Sequence, residues 1–193
     1  MISGGGRAGD EQDRRATERL VLLAETMRAF AVATADYPTL LETISERSTQ
    51  LIGDGCLIAE RTEDEKFATL ASVTAENPIV AAGARVTLLT GPIEVARLGI
   101  VLSVIRTGEP LLVPQIDPEA LAAAVAPDYA DIVRRVGVRG FLSVPLEAGG
   151  RILGGLALFR YRPDRPSYDE TDLAFARSIA DHAALAIANA RLV

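Results

Sequence analysis

The sequence predicts an α+β fold: a central antiparallel sheet of about five or six strands, N- and C-terminal helices on one face, and a helical insert over the other. Three observations carry this. The first is Val138–Arg162, VRGFLSVPLEAGGRILGGLALFRYR, which reads as two long strands around Gly149-Gly150, a pair suited to a primed two-residue turn that needs positive φ. The second is a shorter hairpin, Cys56–Glu60 and Phe67–Thr74, around the charged turn Arg61–Lys66. The third is a helical pattern at each end of the chain, so the outer helices must cover one sheet face and leave the other to the segment 77–136.

In chain order, Met1–Asp10 is glycine-rich and expected to be disordered. Residues 11–35 form an N-terminal helix whose apolar positions Leu20, Leu23, Met27, Phe30 or Ala31, and Thr34 make a narrow stripe, closer to a coiled-coil seam than to a broad core face, and so a dimerisation helix. Asp36 is placed to cap a second helix, with Tyr37-Pro38 at its start, Leu40, Leu41, Ile44, Ser48 and Leu51 on one side, and Gly53 as its stop. After the first hairpin, Asn77-Pro78 breaks the pattern. The insert then reads as a short strand Ala84–Leu88, a turn at Thr90-Gly91-Pro92, a helix Ile93–Thr107 weakened at Gly99, a strand Leu111–Val113, and two short helices, Pro118–Ala126 and Asp128–Val136. In the long hairpin, Pro145 belongs near the end of its strand, and Gly154-Gly155 marks a bulge or the close approach of another backbone. Ser167 or Asp169 caps the last helix, where Leu173, Ala176, Ile179 or Ala180, Ala183, Ile187 and Ala190 repeat the seam-like spacing. That helix runs to the end of the sequence, as though continuing into an effector.

Composition bounds the function. Across 193 residues, 49% are hydrophobic, enough for one real core, and the net charge is −6 with no basic block longer than a pair, which argues against nucleic acid and anionic membrane surfaces as partners. No run approaches the roughly 18 apolar residues of a membrane span, and a cytoplasmic setting is the simplest reading. The chain has one cysteine and one histidine, which leaves no ligand set for zinc; the carboxylates lack calcium-loop spacing, and nothing in the sequence asks for a cofactor. His182 falls on the last helix, away from the insert, as a solvated or interface residue; Cys56 begins a sheet strand and reads as a buried structural thiol.

Four segments in order, TLLETISERSTQLIGDGCLIAE, RTGEPLLVP, VRGFLSVPLEAGGRILGGLALFR and PSYDETDLAFARSIADHAALAIANARL, resemble a GAF domain over about Tyr37–Leu192. The resemblance implies a GAF-like, PAS-related sheet over residues 36–193 with a C-terminal signalling helix, and a ligand, where there is one, between sheet and insert. It further implies a non-catalytic sensory module of bacterial signalling proteins such as sensor histidine kinases, paired as a homodimer through its terminal helices and relaying a small-molecule signal to an effector outside this chain. On the strand after Val138, alternation puts Leu142, Val144 and Leu146 towards the helices and Arg139, Phe141 and Ser143 towards the insert. With Tyr129 from the insert, these last three are the candidate ligand contacts. The other readings are a structural dimerisation module with no ligand, cyclic-nucleotide binding, and a Cys56-based redox enzyme resembling the GAF reductase of free methionine sulfoxide. Against cyclic-nucleotide binding, the family's Asn-Lys element is replaced by FRYRPD, leaving Tyr168 and Asp172 as its remnant and removing the expected internal bridge. Against the last, Cys56 has no resolving partner.

Overall fold

The computed structural model of the chain describes residues 6–33, 36–88 and 91–191. Its elements are α1 (Gly6–Ala33), α2 (Tyr37–Leu51), β1 (Gly55–Arg61), β2 (Phe67–Ala75), α3 (Pro78–Leu88), β3 (Ile93–Glu94), α4 (Val104–Thr107), β4 (Leu111–Val113), α5 (Pro118–Ala124), α6 (Pro127–Val136), β5 (Gly140–Ala148), β6 (Arg151–Arg160) and α7 (Glu170–Ala190). The six strands form one antiparallel sheet in the order β3-β2-β1-β6-β5-β4. The architecture is the α+β sheet the sequence predicts.

Gly149 and Gly150 both take positive φ, 59° and 74°, so the long hairpin closes on the turn its glycines favour. Gly154 faces the backbone of β1: a Cβ there would lie 2.1 Å from the Ala59 carbonyl oxygen. The ladder also shifts register between Leu146 and Glu147. Pro145 sits inside β5 rather than near its end; it lies past the reach of β4, which pairs only Phe141–Ser143, and an unpaired strand edge is where a sheet accepts proline.

Strand alternation divides the core into two layers. Ile58, Leu142, Val144, Leu156 and Leu158 meet α2 and α7, where Ile44, Ala176, Ile179 and Ala183 are fully buried. Leu57, Ala59, Phe141 and Ala157 face the insert with Val101, Val104, Ile105 and Leu121. In β2 the alternation flips. A bulge opposite Ile58/Ala59 turns both Leu70 and Val73 towards the insert, while Ser72 and Thr74 point at α2 and share hydrogen bonds with the Ser45 and Thr49 hydroxyls at 2.7 and 2.8 Å.

Several details differ from expectation. Gly6–Asp10, expected as part of a disordered tail, are the first residues of α1; residues 1–5, 34, 35, 89, 90, 192 and 193 lie outside the described residues, and with them part of that tail, Thr34 of the seam and Thr90 of the turn. Asp36 holds the N-cap position of α2, but its carboxylate accepts the Thr39 hydroxyl rather than a backbone N–H. Residues Ala84–Leu88 are the end of a helix, not a strand: Asn77 Oδ1 accepts the Ile79 N–H at 2.9 Å, Pro78 opens the helix, and Arg85 Nε donates to the Val73 carbonyl at 3.1 Å. The expected helix Ile93–Thr107 is instead β3, two 3₁₀ turns (Val95–Arg97 and Ile100–Leu102) and α4. Its break at Gly99 is enforced by packing, since a Cβ there would lie 2.9 Å from the Val125 Cα.

The seam positions also have a use within the domain. Phe30 is buried and Leu23 and Met27 pack beside it on the helix-side core, and Ala176, Ile179, Ala183 and Ile187 of α7 face their own sheet. Among the described residues of the terminal helices, Leu20, Val21, Leu22 and Val32 of α1 and Leu185 of α7 are large apolar side chains left outside, 43–77% exposed; Ile79 of α3 is exposed as well.

Candidate functional site

Between the sheet and the insert lies a cavity of about 120 Å³. Leu57 of β1, Leu70 and Val73 of β2, and Phe159 of β6 form its floor. Its lid comes from Val80 and Ala84 of α3, Leu98, Gly99, Val101 and Leu102 between β3 and α4, and Tyr129, Ile132 and Val133 of α6. The sequence builds that lid from short pieces with local stops. The Asp117 carboxylate accepts the Glu119 and Ala120 N–H groups to cap α5, Arg134 pairs with Glu119 at 2.8 Å to hold α5 to α6, and Gly137 ends α6 at φ 70°. The walls are almost wholly apolar. Among the described lining residues Arg97 is the one charged side chain; Tyr129 and Tyr161 bring phenols.

Of the four candidates from sequence, Tyr129 alone lines the cavity. Arg139 is exposed: its backbone is held by the Arg160 carbonyl and the Ile116 N–H, while its side chain stays outside. Phe141 is fully buried but stands behind Phe159, ring centroids 6.5 Å apart. Ser143 is fully buried opposite Leu111 of β4, and its hydroxyl makes no hydrogen bond. The cavity is therefore centred over β1, β2 and β6 rather than over β5, and the structure does not bring the four candidates together.

Cys56 borders the cavity but points away, into the helix-side core beside Ser48; it is 1% exposed, and burial pushes its thiol well above the ordinary range. Such a thiol is protonated and poorly nucleophilic. His182 is exposed on α7, its Nδ1 2.8 Å from the Ser178 carbonyl oxygen. Among the described residues there is no cluster of His, Cys, Asp and Glu that could hold a metal ion.

Where the cavity's floor ends, a polar cluster begins. Tyr161 lines the cavity, donates its hydroxyl to the Asp54 carbonyl at 2.9 Å, and donates its backbone N–H to the buried Asp54 carboxylate, also at 2.9 Å. Burial raises the Tyr161 phenol above its ordinary pKa. One residue earlier, Arg160 points to the helix side. Its guanidinium donates to the Pro166 and Ile52 carbonyls, pairs with Asp172 at 3.2 Å, and lies 4.0 Å from the centre of the Tyr168 ring. Asp172 is in turn the inner half of the capping box that starts α7, its carboxylate accepting the Asp169 N–H while Asp169 accepts its own. Arg160, inside FRYRPD, thus supplies a cation to Asp172, in a pair that ties β6 to α7 on the helix side of the sheet. The far end of α7 has a second tie, Arg191 to Glu60 at 2.6 Å and to the Tyr37 hydroxyl at 3.1 Å.

A six-stranded antiparallel sheet with terminal helices on one face and a cavity under a helical lid on the other makes up one α+β module. The chain belongs to the GAF domain family, whose model matches residues 36–187. GAF domains are typically sensory or regulatory parts of signalling proteins. No curated protein matches the sequence. Similar solved structures include the GAF domain/HD domain protein of Geobacter sulfurreducens (18% identity, 83% of this chain and 97% of that one, TM-score 0.64). Another is the GAF domain of a phosphoenolpyruvate-protein phosphotransferase from Coxiella burnetii (18%, 89% and 96%, 0.64). A third is the free methionine-R-sulfoxide reductase of Neisseria meningitidis in complex with its substrate (15%, 92% and 93%, 0.66).

Proposed function

We propose that the chain is a non-catalytic sensory domain that takes a small molecule into the cavity over β1, β2 and β6 and transmits its presence through α7 to an effector. One observation carries this reading: consecutive residues of one strand end serve both places. Phe159 and Tyr161 line the cavity, and Arg160 between them holds the first turn of α7 through Asp172. A ligand that binds two arrangements of this strand end with different affinity shifts the position of α7 by that difference and by no more. The buried, protonated thiol of Cys56 favours a binding role over redox chemistry at the site. Pairing of two copies is proposed through the apolar residues left outside the core, Leu20, Leu22 and Val32 of α1 with Leu185 of α7, and it is this pairing that would pass α7's movement on as a signal. A dimerisation module without a ligand is the second reading, favoured by how few polar groups the cavity offers. Native mass spectrometry on protein drawn from cell extract separates them. The sensor reading expects a dimer that retains a defined small mass. A dimer with none, even after incubation with an extract of small molecules, favours the second reading; a monomer at high micromolar concentration overturns the pairing.

A further inference from the structure

The geometry points to a ligand class: we propose that the cavity accepts a compact apolar molecule with one anionic group, a small aromatic or branched aliphatic monocarboxylate, whose carboxylate meets Arg97. This rests on the binding half of the function proposed above. Size comes first. A cavity of about 120 Å³ is well under the roughly 300 Å³ and more of pockets for drug-sized ligands, and near the roughly 150 Å³ of an apolar cavity that binds benzene. It therefore suits a skeleton of about six to nine heavy atoms. Wall chemistry comes second. Leu70, Val73, Val101, Leu102 and Val133 offer no hydrogen bond from their side chains, and the Tyr161 hydroxyl is already engaged with the Asp54 carbonyl and the Asn77 N–H. A ligand with several polar groups would leave them unpaired on entry.

Charge comes third. Arg97 closes the first 3₁₀ turn of the lid, lines the cavity and is exposed, which places it at the opening. It has no hydrogen bond or ion pair among the described residues, whereas Arg134 next to the same cavity is paired with Glu119 and Asp131. No described Asp or Glu lines the cavity. An apolar chamber with an unengaged guanidinium at its opening selects a carboxylate that keeps its charge at the edge and buries its carbon skeleton inside.

Benzoate and its neutral isostere benzamide are the probes, titrated into methyl-labelled protein and followed by NMR. The expected result is benzoate binding with a Kd on the order of 1 mM, as for a fragment of this size. It should shift the methyls of Leu70, Val101 and Val133, at least about tenfold more tightly than benzamide. Arg97→Gln, an exposed change that leaves the core intact, should bring the ratio to about one while leaving benzamide unchanged. Equal affinities in the unaltered protein, a preference that survives Arg97→Gln, or no shift of these methyls by either probe overturns the proposal. Benzoate that binds as expected but leaves the amides of α7 unmoved supports this ligand class and counts against the relay through α7. A different retained molecule found by mass spectrometry, with benzoate excluded, overturns the ligand class and leaves the sensor reading standing.

Discussion

Gly154→Ala is expected to abolish the cooperative unfolding transition, or to cost at least about 4 kcal/mol where a folded population remains. The added Cβ would sit 2.1 Å from the Ala59 carbonyl oxygen and 3.1 Å from the Glu60 Cα, backbone atoms of the neighbouring strand. No side-chain rotation relieves that overlap, so β1 and β6 must separate where Gly154 pairs with Glu60, at the centre of the sheet. Gly155→Ala is the control. Its Cβ would meet the Val104 and Ile105 side chains at 3.0 Å, and these can give way, so the expected cost is about 1–3 kcal/mol. Urea denaturation of the two variants checks the order; equal, small effects would show that the β1–β6 approach is looser than described.

Breaking the Arg160–Asp172 pair has the other large effect. Asp172→Ala leaves a guanidinium 9% exposed without its carboxylate and removes half of the α7 capping box; the expected loss is about 3–5 kcal/mol. Arg160→Met costs a similar amount, since Ile52, Pro166 and Asp172 lose a donor together. The double variant should lose clearly less than the sum of the two, because the second change deletes the charge that the first left uncompensated. Urea unfolding of all three gives the cycle. Strict additivity, with each single change under about 1 kcal/mol, would remove the pair as the tie between β6 and α7.

These two sites show how far the sequence could be read. Gly149-Gly150 and Gly154-Gly155 spoke through glycine's own chemistry, and the alternation in β5 turned Leu142, Val144 and Leu146 towards the helices as expected, because both signals are local. The insert was less legible. Residues 78–107 combine β-branched positions with proline and glycine, and their form is decided by what they pack on: Arg85 anchors α3 to Val73, and Gly99 is pressed against Val125. The cavity's position followed the insert, so alternation turned Phe141 and Ser143 towards the insert but could not say that β4 and the turns around Val104 cover that part of the sheet, nor that Arg139, before the start of β5, stays exposed. The role of Leu70 and Val73 was hidden by the bulge in β2, which breaks the period of two that exposes a floor residue. Arg97 carried one available signal, a lone cation in an apolar stretch. Arg160 was passed over because a family pattern asked for lysine, although an arginine opposite Asp172 meets the same electrostatic need.

The proposed relay requires that the state of the cavity reach α7. Ala84→Phe fills the cavity from α3 without touching α7, Arg160 or Asp172. Backbone amide hydrogen exchange, read residue by residue in the filled and unfilled proteins, tests this coupling. Protection in the first turns of α7, from Glu170 to about Ala176, is expected to change at least about tenfold, within the usual range of coupling between linked sites. The change should disappear when Arg160→Met is added. A filled cavity that alters exchange only in α3, α6 and the floor strands, with α7 unchanged, would contradict it.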